Sequence, residues 1–308
     1  MSDAVTWSHV ATRLSDGRPR LVPGEAGASA LVHSCFRSAV NITTPDGLLT
    51  IASEAVGGLP NGIVADLAPD FRALGIRAGM TVEAGDTDLF IPGIGLRLDL
   101  AGAVVWSPRI PPPSDGVNPA GARWRQRSAA TRARALQDAR AGGLAGLLGT
   151  AMASRPASSV DVTARARPVL MALADALVQG DRSAASKSAR GLIGLGPGLT
   201  PSGDDVLVGM EAALHVSGRP TAGFVSGALD HVEDRTTAVA ATLLRHAARG
   251  EFTERLHVLL AVLLGPEDAA IPGAIERAVA WGATSGSDCL VGVLCGLDIA
   301  TRSDAWLA

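Results

Sequence analysis

The chain has 308 residues, enough for two domains and a full core. Its 27 lysines and arginines against 30 acidic residues leave a net charge of −3, which removes the electrostatic case for nucleic acid or an anionic membrane as the main partner. Three cysteines (Cys35, Cys289 and Cys295), odd in number and without C-x-x-C spacing, read as small buried hydrophobes in a reducing compartment. The start, M-S-D-A-V-T-W-S-H, has no basic region followed by an apolar core, and no apolar run reaches about 18 residues, so the expectation is a soluble cytoplasmic protein.

Up to about Pro113 the pattern favours short strands: Val32 to Ile42, Leu48 to Ala52, Thr81 to Ala84, Leu89 to Ile91 and Leu96 to Val105. Turn signals separate them, among them Pro45-Asp46-Gly47 and Pro60-Asn61-Gly62. A short helix is expected at Asp70 to Leu74, stopped by Gly75. The run S-P-R-I-P-P-P-S-D-G-V-N-P, Ser107 to Pro119, forbids regular structure and marks a domain boundary.

Beyond Gly121 the period becomes helical. Helices are expected over Arg123 to Leu148, weakened by Gly142-Gly143, then Pro168 to Gln179, Asp181 to Ile193 and Pro201 to Val216. Further helical patterns cover Thr221 to Arg249, Glu251 to Leu264, Gly273 to Trp281 and Ser285 to Ile299. The expected fold class is therefore α+β. A β-rich domain, barrel-like or sandwich-like, spans 1–112; a proline-rich connector follows at 113–120; an all-helical domain spans 121–308.

The most informative stretch is G-L-G-P-G-L-T-P-S-G-D-D, Gly194 to Asp205, running straight into an apolar helix. Gly196 and Gly198 allow positive φ and close approach to the main chain. Thr200-Pro201 reads as an N-cap with proline at the first helical position, so the free N–H groups of that turn offer an anion site. Ser202, Gly203, Asp204 and Asp205 complete a candidate ligand loop. The pattern recurs: S-G-x-D-x-L-V-G at Ser202 is matched by Thr284-Ser285-Gly286-Ser287-Asp288 and the residues after it, 83 positions along (285 against 202). Two Ser-x-x-Asp capping boxes would explain the serines and acids. They leave unexplained why glycine follows serine both times, where it costs about 1 kcal/mol against alanine. The two helix starts are therefore expected to face each other or a shared cleft, with Asp205 and Asp288 as the candidate catalytic or binding acids. Thr236 and Thr237, read as helical, are a third candidate wall or ordinary back-bonding threonines.

The other chemistries are weaker. His9, His33, His215, His231, His246 and His257 form no metal-binding pattern. A magnesium ion bridging Asp204, Asp205 and Asp288 to a phosphate is the one metal the acids suit, and no resident cofactor is otherwise implied. The chain has no P-loop, no dinucleotide fingerprint and no G-x-S-x-G elbow. Asn61-Gly62 reads as a turn and Asn41 as a satisfied buried amide.

The glycine-proline motif resembles the signature of the AllH family, described as the third subunit of oxamate carbamoyltransferase. Further matches are V-H-S-C-F-R-S-A-V-N at Val32, L-P-N-G-I at Leu59, R-T-T-A-V-A-A-T-L-L-R-H at Arg235 and G-A-T-S-G-S-D-C-L-V-G at Gly282. The family is expected to carry serine after the threonine pair, where this chain has Ala238. The resemblance implies carbamoyl exchange between carbamoyl phosphate and oxamate, giving oxalurate and phosphate, within ureide or purine nitrogen catabolism. It also implies partner subunits, one similar to acyl-CoA synthetases, and assigns no catalytic residue. Two alternatives stay open: a non-catalytic assembly subunit that docks partners through the glycine loop, and a stand-alone magnesium-dependent phosphate-ester or nucleotide enzyme.

Overall fold

The computed structural model describes residues 7–18, 29–110, 119–148, 162–219 and 221–302. Most of the proline-rich connector thus lies outside the described residues. The contacts divide the chain into two compact units, Met1–Pro108 and Arg109–Ala308.

The first unit holds nine strands: β1 (Trp7–Ser15), β2 (Ser29–Cys35), β3 (Ala39–Thr44), β4 (Gly47–Ala52), β5 (Gly62–Ala65), β6 (Thr81–Ala84), β7 (Asp88–Ile91), β8 (Leu96–Asp99) and β9 (Val104–Trp106). They run in the order β5-β4-β3-β2-β6-β7-β8-β1-β9, and β1 also pairs antiparallel with β5 through Ala11↔Ala65 and Leu14↔Ile63. That pairing closes eight strands into a barrel and leaves β9 attached to β1 alone. Closure removes the unpaired edges an open sheet would expose. Alternate residues, such as Val40 and Ile42 on β3 and Leu49 and Ile51 on β4, point into the barrel core. Two expected strands are each two. Val32 to Ile42 folds back at Phe36, whose N–H donates to Ala39 O at 2.8 Å, and Leu96 to Val105 is interrupted by a turn at Ala101-Gly102. Neither turn carries a strong punctuation signal. The expected short helix is a 3-10 turn, Phe71–Leu74, capped by Asp70 and ended by Gly75 in the left-handed region. Asn61 does more than make a turn: it is buried and donates to Leu48 O and Thr50 Oγ1.

The described part of the second unit is helical: α1 (Pro119–Asp138), α2 (Val162–Val178), α3 (Arg182–Leu192), α4 (Ser202–Val216), α5 (Ala238–Ala248), α6 (Glu254–Leu264), α7 (Ile271–Val279) and α8 (Ser285–Arg302). No described helix is long and apolar enough to cross a membrane. The expected Arg123–Leu148 helix stops at Asp138, because Gly142 and Gly143 adopt φ of 105° and 54° and turn the chain into a 3-10 segment. α2 begins before Pro168, which sits inside it. The long pattern from Thr221 resolves into 3-10 turns, with His231 at φ 54°, before α5 starts at Ala238.

α4 is the axis of this unit, with every residue from Ser202 to Leu214 buried. Such a place suits a helix with apolar residues on every side, and α4 has them, though it also buries Asp204, Asp205 and Glu211. It packs against α8 at backbone distance. A Cβ added to Gly209 would lie 2.1 Å from Cys289 O, and one added to Gly292 would lie 2.0 Å from Val206 O. Since 206 and 209 correspond to 289 and 292 in the sequence repeat, the seam is locally two-fold: each helix offers the other the same glycine and the same carbonyl.

Candidate functional site

The loop between α3 and α4 has three glycines at positive φ: Gly194 (76°), Gly196 (117°) and Gly198 (105°). Gly194 presses against Arg235 O and Gly196 against Ser202 N, so no side chain fits at either place. The helix starts one residue later than the capping pattern predicts, at Ser202, with Pro201 as cap residue and no side-chain cap bond. Thr200 is drawn off: its Oγ1 lies 2.8 Å from Ser285 Oγ.

Gly203 and Gly286 play one role twice. Their N–H groups donate to Leu195 O and Trp281 O at 2.9 and 3.0 Å, and a Cβ on either would lie 2.0 Å from a carbonyl of the preceding helix, Leu192 O or Ala278 O. Glycine at these positions therefore admits the neighbouring backbone, and these first-turn donors are already used, which corrects the expectation of a wholly free anion cradle. The two loops differ in length. Gly196 precedes Ser202 by six positions, whereas its counterpart Gly282, also at positive φ and against Ser285, precedes that serine by three.

The side chains cross over between the copies. The hydroxyls of Ser285 and Thr200, which bond one another, lie by Asp205 on α4 and favour its ionised form. Asp288, on α8, accepts from the Leu144 N–H through Oδ1, and the hydroxyls of Ser202 and Thr284 favour its ionised form. Each serine thus serves the acid of the other helix, where two capping boxes would have kept each within its own turn. Both aspartates are buried, and the Oδ2 of each has no hydrogen-bond partner among the described residues. A buried polar atom left unpaired costs roughly 1–3 kcal/mol, so this pair is poised to receive something. Burial pushes the Asp205 carboxyl well above the usual carboxylate range, opposed by its hydroxyl donors and reinforced by the charges of Asp288 and Asp204. Burial also raises Asp288, less so because the Leu144 N–H and two hydroxyls stabilise its ionised form.

Asp204 faces elsewhere. Its Oδ1 accepts from Gly194 N at 3.0 Å and its Oδ2 from the Thr236 hydroxyl, and burial raises it to about 6 against those bonds. Thr236 and Thr237 are not helical: Thr237 caps α5, accepting from Ala240 N at 3.1 Å, and its hydroxyl donates to Leu199 O. These three residues fasten the loop, while Thr200, Ser202, Asp205, Thr284, Ser285 and Asp288 form the cluster. Among the described residues no three of His, Cys, Asp and Glu are grouped to hold a metal ion. Sequence reasoning missed the strap Gly142-Gly143-Leu144, which clasps Asp288 from α1's side. A Cβ on Gly143 would lie 2.3 and 2.5 Å from the two Asp288 carboxyl oxygens. The paired glycines were its signal.

Fold and site together define an α+β protein with a closed N-terminal barrel and a helical unit built on two matching, acid-bearing helix starts. The chain belongs to the AllH family: residues 192–297 match the model of the oxamate carbamoyltransferase subunit AllH, and residues 3–105 match the AllH family N-terminal domain. No solved structure matches the chain.

Proposed function

We propose that the chain acts within a carbamoyltransferase complex that exchanges a carbamoyl group between carbamoyl phosphate and oxamate or a related acceptor, and that Asp205 and Asp288 bind that group. The observation that carries this reading is the pair of buried Oδ2 atoms, at two facing helix starts, that have no hydrogen-bond partner among the described residues. A carbamoyl group presents one carbonyl oxygen and one NH2. Asp205, with the more strongly raised pKa, is the carboxylic acid whose proton meets the carbonyl oxygen. Asp288, held toward ionisation by Leu144 N–H, accepts from the NH2.

In the transfer, the acceptor nitrogen forms a bond to the carbamoyl carbon, the bond from that carbon to the phosphate oxygen breaks, and phosphate leaves with the electron pair. The acceptor nitrogen gives up a proton to solvent. Negative charge develops on the carbonyl oxygen, where a preorganised acid in a water-poor site stabilises it. Partner subunits, one resembling an acyl-CoA synthetase, and a place in ureide or purine nitrogen catabolism belong to the same reading. The docking alternative also has an observation in its favour: Leu199, in the three-residue excess of the first loop, is 47% exposed.

The test is carbamoyl transfer by the reconstituted complex with Asp205→Asn and Asp288→Asn. Asp205→Asn, which replaces the acid proton at the developing oxyanion by a weaker amide donor, is expected to lower kcat by up to about 10²–10³. Asp288→Asn, which removes the anionic acceptor of the carbamoyl NH2, is expected to raise KM for carbamoyl phosphate. Assembled variants with wild-type kcat and KM would sink the assignment.

A further inference from the structure

A cleft of about 550 Å³ opens beside the C-terminal end of α1, lined by Leu136, Arg140, Gly142, Gly143, Gly146 and Thr163 among others. It lies outside the residues matched by either family model, and its volume is that of a small-molecule site, roughly 300–1,000 Å³. Arg140 is the cation in its lining. Its guanidinium donates to Gly282 O at 3.0 Å and Ala280 O at 3.4 Å, carbonyls just past α7, and among the described residues no carboxylate pairs with it. A guanidinium has five N–H donors, so those two bonds leave further donors and a full charge on a residue that lines the cleft. The floor is the Gly142-Gly143 strap, which has no side chain to hold a ligand away from the main chain. Immediately behind Gly143 lies Asp288, wholly buried, with its unpartnered Oδ2.

We propose that this cleft is a binding site for a small oxyanion, a carboxylate or a phosphate, anchored on Arg140 with the glycine strap as its floor. Guanidinium recognises both groups through paired, charge-assisted hydrogen bonds. The inference goes beyond the carbamoyl-transfer reading, because it concerns where a charged group is held and is read by binding, not by turnover.

The experiment is an NMR titration of the full chain with inorganic phosphate and, separately, with oxamate, at constant ionic strength. Saturable binding is expected in at least one arm, with shifts centred on residues 140–146. Arg140→Gln is expected to weaken it at least tenfold. Because Arg140 also holds the end of α7, Ala141→Glu serves as the second variant. It places a negative charge on an exposed lining residue without removing any bond of the fold, and is expected to weaken binding at least tenfold at unchanged Tm. Absence of saturable binding in both arms, or wild-type affinity in Ala141→Glu, would overturn the site. Transfer lost in the acid variants and anion binding lost in the cleft variants are separate readouts, so the two readings fail independently.

Discussion

Replacing Gly292 by alanine tests the central seam of the helical unit. The new Cβ would lie 2.0 Å from Val206 O and 2.9 Å from Met210 N, both backbone atoms of α4 that no rotamer change can move. Relief requires α4 and α8 to separate by about 1 Å, forfeiting dispersion contacts along a seam that also includes Gly209 and Gly296. Overpacking of this kind costs roughly 3 kcal/mol at the upper end of its usual range, and alanine's better helix propensity returns about 1, leaving a net loss of roughly 2 kcal/mol. For a unit of this size that lowers Tm by about 4–8 °C. The measurement is urea and thermal unfolding followed by far-UV circular dichroism, with Gly146→Ala as control, since its Cβ would meet nothing closer than 3.7 Å. Adding Gly209→Ala is expected to cost less than the sum, because the seam is already open. The same separation would draw Ser285 away from Asp205 and Ser202 away from Asp288. If Gly292→Ala is as stable as the control, the close-packed seam and the argument built on it are wrong.

Two further outcomes concern buried titratable groups. Glu211 accepts from the N–H groups of Gly223 and Val225, yet burial raises it from 4.5 to about 7. The folded chain therefore keeps a proton that the unfolded chain releases, and stability falls as pH rises from about 4.5 to 7. The shift is worth roughly 3 kcal/mol. Glu211→Gln should flatten that part of the profile measured by urea unfolding between pH 4.5 and 7.5, and an unchanged slope would refute the shift. His246 goes the other way: burial, then the charge of Arg249, lowers it to about 4, opposed by Glu251, whose Oε2 lies 2.8 Å from its Nδ1. It contributes stability that is present above the unfolded pKa of 6.5 and lost as pH falls toward 4. ¹⁵N shifts of its imidazole should still report the neutral ring at pH 5; a charged ring there would contradict the burial argument.

Much of the architecture is legible in the residues. The change from short alternating runs to helical periods at the proline stretch marks the passage from barrel to helices. The repeat of S-G-x-D-x-L-V-G announces two equivalent helix starts, and the glycine after each serine announces a close backbone. Less legible are β1 and β5, which pair to close the barrel. Their partners lie some 50 residues apart, and no local pattern states which edges meet. The expected helix across Thr236 and Thr237 fails because Thr237 finds better use as a cap, a contest that propensity does not decide.

By itself, the sequence determined that Asp205 and Asp288 stand at matching positions in matching helices, because helix starts and apolar periods are local properties of the chain. Only the tertiary structure decided which hydroxyls serve them. The crossing of α4 and α8, possible because glycines admit carbonyls at backbone distance, hands Ser285 to Asp205 and Ser202 to Asp288. The same packing buries both acids and leaves one oxygen of each without a hydrogen-bond partner among the described residues.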